Sequence, residues 1–365
     1  MSSPHLLVAI SSHGFGHATQ TAPVLNALRR RLPDLRLTVA TGVPRTLLEE
    51  RIEGDFDLIE RRSDFGMAMK SAIEIDLDAS ARRYEAIHLP WPATVQAEAG
   101  WLESLRPDLV LSNIAYLPLA AAQLADIPAI ALSSLHWAAL HGHYLLDSPG
   151  GRQTQKQIER AYASARAFIQ VTPGLDAEFG NHTETVGPIA RLGSSRRAAI
   201  LERLGRPDGT RLVLVSPGGI DFPTGVARPP RIDGLVWLYD RADDFDRGDL
   251  HSPRTLGLPF TDILASVDAV LTKPGYSTVV EAGCLGLPLL YLPRGDWPEE
   301  RPLVDWLRRH APVQTLAIED FESGALPERL AALWAMPRPE PAIPTGAEEA
   351  ADIVARHMAG AADRC

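Results

Sequence analysis

Apolar residues along this chain fall into short unbroken runs, separated by loops bearing Gly or Pro and by stretches of helical spacing. The first run, HLLVAI (5–10), is brief and does not alternate, so it reads as a strand buried on both faces. A glycine-containing loop follows, after which Leu25, Leu28 and Leu32 recur at helical spacing. LRLTVATG (35–42) predicts a second strand and RTLLEERI (45–52) a second helix. PDLVLSN (107–113), PAIALSS (128–134) and AFIQVTP (167–173) predict later strands, with helix-forming runs between them. Apolar strands alternating with helices predict a parallel sheet covered on both faces.

The pattern then restarts. After the polar stretch RLGSSRRAAILERLGRPDGT (191–210) comes RLVLVSPGG (211–219), a strand ending in a Gly-Gly turn. GLVWLYD (234–240), DAVLTK (268–273) and PLLYLP (288–293) continue a second α/β set, and GAEEAADIVARHMAG (346–360) predicts a closing helix. With a boundary near Gly187 to Ser194, the expectation is an α/β protein of two Rossmann-like domains. They are residues 1–190 and 191–345, and a C-terminal helix, 346–365, closes the chain. The domains are expected to face each other across a cleft, with a ligand at the C-terminal ends of the strands.

Charge and composition narrow the partners. The chain has 365 residues, 45% of them hydrophobic and 22% charged, as soluble globular proteins do. Lys and Arg number 36 against 46 Asp and Glu, a net charge of -10 that argues against a nucleic-acid binder. The local basic runs LRRRL (28–32) and SSRRAAILERLGR (194–206) read as solvated helix faces. Two cysteines, Cys284 and Cys365, give neither a disulfide framework nor a cysteine-based metal site. The start MSSPHLLVAISS lacks a basic leader, and no apolar stretch reaches the ~20 residues that span a bilayer. A cytoplasmic protein without a transmembrane segment is expected.

Four loops carry candidate chemistry. In SSHGFGHAT (11–19), Gly14 and Gly16 let the backbone turn into a helix whose N-terminus attracts anions. A dinucleotide fingerprint is incomplete there, because Thr19 replaces the third glycine and the second strand ends without a ribose-binding acid. His13 and His17 flank the glycines, and either imidazole could act as a general base; alternatively His17 fills the first helical turn. SPGGI (216–220) offers Gly218 and Gly219 either to a phosphate or to a tight turn. KPGYSTVVEAG (273–283) supports two readings. Thr278 and Glu281 have the spacing of a capping box. The same stretch could instead bind a phosphate through Tyr276, Ser277 and Thr278 at a helix N-terminus beside Lys273, with Glu281 accepting two ribose hydroxyls. RGDWPEERP (294–302) offers acids to sugar hydroxyls, or is a charged surface loop.

These motifs, in this order, resemble the GT-B glycosyltransferases, notably the group of the peptidoglycan GlcNAc transferase and the plant galactolipid synthases. HGFGHAT matches the family's first loop, SPGGI its second-domain turn, and KPGYSTVVEAGCLGLPLLYLP its Lys/Arg-x-Gly-x-x-Thr segment running to a glutamate and a Gly-Leu-Pro. The glycosyltransferase-like N-terminal half of plant arabinose kinases is similar again in GFGHAT, KPGYSTVVEA and an EE-P after the strand, and no kinase half is expected to follow the closing helix. The resemblance implies Lys273, Gly275, Tyr276, Ser277 and Thr278 at the diphosphate, with Gly14, Gly16, Gly218 and Gly219. It implies Glu281 at the ribose, and Phe260 or Ile263 packing on the base beside GLPF (257–260). His17 is the preferred base and His13 the second. Where the family often carries an acid or glutamine followed by glutamine, this chain has DWPEE, so Asp296, Glu299 and Glu300 are its candidates for the donor sugar.

The activity so implied is transfer from a nucleoside-diphosphate sugar, UDP-sugar favoured, to an acceptor hydroxyl, with inversion. No separate cofactor and no metal are expected, since DLD (76–78) does not suit a donor site. The acceptor would be a small molecule or a lipid, the latter with peripheral membrane contact. The alternatives are a nucleotide-sugar epimerase, which would share the fold and the donor, and a non-catalytic nucleotide-sugar-binding module, suggested by the similarity to the arabinose kinases.

Overall fold

A computed structural model describes residues 3–180, 182–218, 229–240, 247–322 and 324–362. The chain divides into two compact units. Unit 1 takes the residues up to Ala68, then Ile75–Ile189, then Thr345 onward; unit 2 takes Met69–Glu74 and Ala190–Pro344.

Unit 1 is built on a seven-stranded sheet of β1 (His5–Ile10), β2 (Arg36–Thr41), β3 (Asp57–Glu60), β4 (Leu109–Asn113), β5 (Ala129–Ser133), β6 (Ala167–Val171) and β7 (His182–Val186). Its order is β3-β2-β1-β4-β5-β6-β7, and every pairing is parallel. Val8 lies between Val39 and Leu111 in register. All residues of β1, β4 and β5 are buried, as central strands covered on both faces must be.

Unit 2 repeats the plan with β8 (Arg211–Ser216), β9 (Leu235–Tyr239), β10 (Leu250–His251), β11 (Ala269–Thr272), β12 (Leu289–Tyr291) and β13 (Val313–Thr315). The order is β10-β9-β8-β11-β12-β13, again all parallel. Its core gathers Val213, Trp237, Leu271, Leu290 and Leu330, and the short segment 69–74 contributes the fully buried Ala72 to it.

Both sheets start in the middle, run out to one edge, and return to the other side of the first strand. The winding direction therefore reverses between β1 and β4 in unit 1 and between β8 and β11 in unit 2. At such a reversal neighbouring strands send their connections to opposite faces, and a crevice opens at their C-terminal ends.

The closing helix, Gly346–Ala362, belongs to unit 1 and packs on the Gly16–Arg31 helix. The basic run at 28–32 has work on that face: Arg30 and Arg31 pair with Glu348 at 2.5 and 2.7 Å, and Arg31 with Asp352 at 2.6 Å. Arg29 donates to the carbonyls of Glu53 and Asp55. The second basic run is likewise committed, Arg196 to Asp262 and Arg197 to Asp268. Partly exposed pairs of this kind contribute on the order of 0–1 kcal/mol each, so they orient helices more than they stabilise the fold.

Candidate active site

In unit 1 the reversal point is occupied by the Ser11–Phe15 loop, which leads from β1 into the Gly16–Arg31 helix, and by Asn113, the last residue of β4. His17 lies in the first turn of the Gly16–Arg31 helix, but its side chain does not cap that turn. Its Nδ1 is 2.9 Å from Asn113 Oδ1, a partner 96 residues away. The direction of that bond follows from the neighbours. Thr21 Oγ1 gives its proton to the His17 carbonyl at 2.7 Å, so it can only accept from the Asn113 amide nitrogen, 2.9 Å away. The same nitrogen donates to Gln20 Oε1 at 3.0 Å. Asn113 Oδ1 is thereby the acceptor, Nδ1 of His17 carries the proton, and Nε2 carries a lone pair. Burial pulls the His17 pKa down to about 4 against the opposing effect of the Asn113 bond, so the ring is neutral at pH 7.

His13 sits on the same wall. Its Nδ1 donates to the Phe65 carbonyl at 3.2 Å, which fixes the second imidazole in the same sense. Both rings meet Trp137 edge-on, with centroids 5.3 and 5.9 Å away. The Trp137 indole N–H donates to Asp64 Oδ2 at 2.6 Å, and Asp64 Oδ1 accepts from Ser11 Oγ at 2.8 Å.

In unit 2 the reversal point is polar in a different way. Three neighbouring strands, β8, β11 and β12, deliver the loops holding Gly218, Lys273–Gly275 and Arg294–Glu300. Gly218 has φ +86, a backbone state that favours glycine. A Cβ at Gly275 would stand 3.2 Å from Lys273 Nζ, and one at Gly218 would stand 3.8 Å from it. Missing side chains thus clear the space around one ammonium group. Desolvation, reinforced by the nearby Arg294 and opposed by Glu299, brings the Lys273 pKa down to about 7. Arg294 and Glu299 are buried, and the Arg294 guanidinium lies 3.5 Å from the Trp297 ring centroid.

The Tyr276–Leu285 helix starts beside this cluster, and its N-cap is Gly275, which offers no side chain for capping. The capping-box reading of Thr278 and Glu281 is therefore corrected. Thr278 lies inside the first turn, one residue past Ser277, and the extended Gly275 (φ -140, ψ 141) starts the helix instead. Glu281 is 4% exposed, one turn further in.

No protein-family profile matches the chain. It is 26% identical over 321 residues to L-arabinokinase of Arabidopsis thaliana, a match covering 83% of this chain and 30% of that protein. The chain thus spans less than a third of that relative's length. An uncharacterized glycosyltransferase of Methanopyrus kandleri is 24% identical over 297 residues, covering 77% of this chain and 84% of that protein. Among solved structures, the glycotransferase of kitacinnamycin superposes with TM-score 0.64 at 16% identity, covering 98% of this chain and 100% of the other. Arabidopsis thaliana UGT89C1 complexed with UDP gives 0.61 at 17%, covering 98% and 99%. The fold is that of the GT-B glycosyltransferases.

On this GT-B frame the sequence-derived residues separate by unit. His13, Gly14, Gly16 and His17 lie together in unit 1. Gly218, Lys273, Gly275, Tyr276, Ser277, Thr278 and Glu281 lie in unit 2 around the reversal point, and Gly219 falls outside the described residues. Of the two base-contacting candidates, Ile263 is 2% exposed and committed to the core, whereas Phe260 is partly exposed at the start of its helix. The acids of the 294–300 loop take separate tasks. Glu299 is buried and acts on Lys273. Glu300 accepts from the Arg294 backbone N–H at 2.6 Å, while Asp296 is exposed, and both line a cavity of about 370 Å³ with Trp297, Arg301 and Arg308. Asn113, Asp64, Trp137 and Arg294 complete the two sites without having been singled out by the sequence. Asn113 alone left a sign, as the polar end of an apolar strand.

Proposed function

We propose that this chain is a glycosyltransferase that moves a sugar from a nucleoside-diphosphate sugar, with uridine diphosphate favoured, to an acceptor hydroxyl on a small molecule or lipid. His17 carries the reading: a neutral imidazole at the reversal point of a GT-B unit, its proton fixed on Nδ1 and its Nε2 lone pair available.

In this mechanism Nε2 of His17 takes the proton of the acceptor hydroxyl while that oxygen attacks the anomeric carbon. The bond from this carbon to the diphosphate oxygen breaks, the electron pair leaves with the diphosphate, and the anomeric configuration inverts. Lys273, Arg294 and the N-terminus of the Tyr276–Leu285 helix meet the negative charge, aided by the close backbone at Gly218 and Gly275. These groups fill the role a cation would play, and the reaction is proposed to run without a metal; turnover unchanged in EDTA checks this. Glu281 receives the ribose hydroxyls and Phe260 packs on the base. The setting is proposed to be the cytoplasm, with peripheral membrane contact if the acceptor is a lipid. Among the described residues no helix is long and apolar enough to cross a bilayer.

The test is thermal melting with UDP, GDP, dTDP, ADP and CDP. UDP at ~100 times its dissociation constant should add about 2.7 kcal/mol of stability to the wild type. The Glu281→Ala variant should lose most of that gain. If none of the five nucleotides moves the melting temperature, the donor assignment fails.

A further inference from the structure

We propose that Asp64 is a positioning residue for both histidines, holding the His13 arm of the loop through Ser11 and the aromatic wall shared by His13 and His17 through Trp137. Asp64 follows β3, in the loop running towards the Leu77–His88 helix, and its side chain is buried. One carboxylate oxygen receives Ser11 Oγ at 2.8 Å, and the same Ser11 oxygen accepts the His13 backbone N–H at 3.2 Å. The other oxygen receives the Trp137 indole at 2.6 Å. Asn113 anchors the His17 ring and, through its carbonyl, the Ser11 backbone N–H at 2.7 Å. Asp64 adds the anchor on the His13 arm.

The next turn of chain shows how closely this wall is fitted. Gly66 has φ +67, and a Cβ on it would stand 2.6 Å from the Trp137 ring and 2.8 Å from His13 Cγ. The loop that brings Asp64 to the indole therefore also packs its bare backbone against both rings. A buried carboxylate is costly to keep, and apolar packing alone would not require one here. Two converging donors, Ser11 leading to His13 and Trp137 to the wall that both imidazoles share, give it a purpose.

The groups facing Asp64 come from several elements. Ser11 and His13 belong to the loop after β1 and Trp137 to the Trp137–Tyr144 helix. Tyr84, Tyr116 and Tyr162 feel its charge from three further segments, and burial pushes all three phenols above their ordinary value. Burial raises Asp64 itself to about 6, against the pull of its two donors. Between pH 5 and 8 the three tyrosines and His17 hold their charge state while Asp64 changes its own.

The inference depends on the transferase reading only for its catalytic consequence. Its test uses the resting, full-length protein without substrate: proton–nitrogen NMR of the Trp137 indole and of the His13 and His17 imidazoles, from pH 5 to 8. In the wild type the Trp137 indole and His17 signals should share an inflection near pH 6. Asp64→Asn should abolish it and move the His13 signals at pH 8, while His17 keeps its Nδ1–H tautomer. Trp137→Phe removes one donor to the carboxylate, so the inflection in the His17 signals should rise by roughly one pH unit. An inflection that persists in Asp64→Asn, or one that stays in place in Trp137→Phe, overturns the proposal. Either result would leave nucleotide binding, and with it the transferase reading, untouched.

Discussion

The two reversal points share one topology and oppose each other in chemistry. In unit 1 the crevice is lined by directional groups, a neutral His17 among them: two imidazoles, an amide and an indole, each with a hydrogen placed by a neighbour. In unit 2 it is lined by charge and by absent side chains: Lys273, Arg294 and Glu299 around Gly218 and Gly275. Strand order alone thus selects where a ligand goes, while the residues at the strand ends select what is done to it. In the proposed mechanism the first site moves one proton and the second receives negative charge.

The sharpest way to break this contrast is to disable each site and measure both tasks. Removing the imidazole in His17→Ala should lower turnover by ~10²- to 10⁴-fold, the range of general-base catalysis. UDP affinity by calorimetry should stay within a factor of ~2, since no nucleotide-binding role is assigned to His17. A turnover unchanged in His17→Ala would remove the base assignment. Lys273→Met should reverse the pattern, weakening UDP by ~10- to 100-fold through loss of a charged hydrogen bond. Should Lys273→Met bind UDP as the wild type does, the diphosphate site lies elsewhere.

How much of this was legible in the sequence depends on burial. The central strands β1, β4, β5, β8, β9 and β11 announce themselves as unbroken apolar runs because both faces are covered. All four edge strands escaped the same reading. β3 (DLIE) and β7 (HTETV) are half exposed and mix charge with apolar residues, while β10 and β13 are two and three residues long. Strand edges meet solvent or loops, so no apolar run marks them. The sites show the same division. His17 and Lys273 stand in motifs with glycine and helix-start signals. Asn113 and Asp64 act only because β4 returns beside β1 and the loop after β3 folds back on Trp137. Such contacts, 96 and 73 residues apart in sequence, leave no local pattern of their own, although Asn113 stands out as the polar end of an apolar strand.

A smaller effect tests whether unit 2 works by charge as described. A bound diphosphate favours protonated Lys273, whose pKa in the free protein is lowered to about 7. Affinity for UDP should therefore hold steady below pH 7 and fall above it, by up to ~10-fold per pH unit. Glu299 is the group that raises this pKa, so Glu299→Gln should move the inflection to lower pH and weaken binding at pH 7. Affinity that stays flat from pH 6.5 to 8.5 would mean that Lys273 carries no titrating charge in the complex.

The finest test converts part of one site towards the other. Asn113 orients His17 without charge, so an imidazolium formed there by proton abstraction has an amide beside it where a carboxylate would neutralise it. Asn113→Asp keeps the shape and the Nδ1 acceptor but adds a negative charge beside the ring. The His17 pKa should then rise from about 4 by roughly one to three units, because an opposite charge at this range favours the protonated form. The sign for activity follows from the proton inventory. At pH 8 the ring is still neutral and its Nε2 has become more basic, so turnover should rise a few-fold. At pH 5.5 a growing fraction is already protonated, so turnover should fall relative to the wild type. The introduced carboxylate also lacks the two N–H donors with which the Asn113 amide serves Gln20 and Thr21, which costs about 1–3 kcal/mol of stability and is read separately by melting. An imidazole titration midpoint unchanged in Asn113→Asp would show that His17 is insulated from its neighbour, and the contrast between a neutral and a charged site would then rest on unit 2 alone.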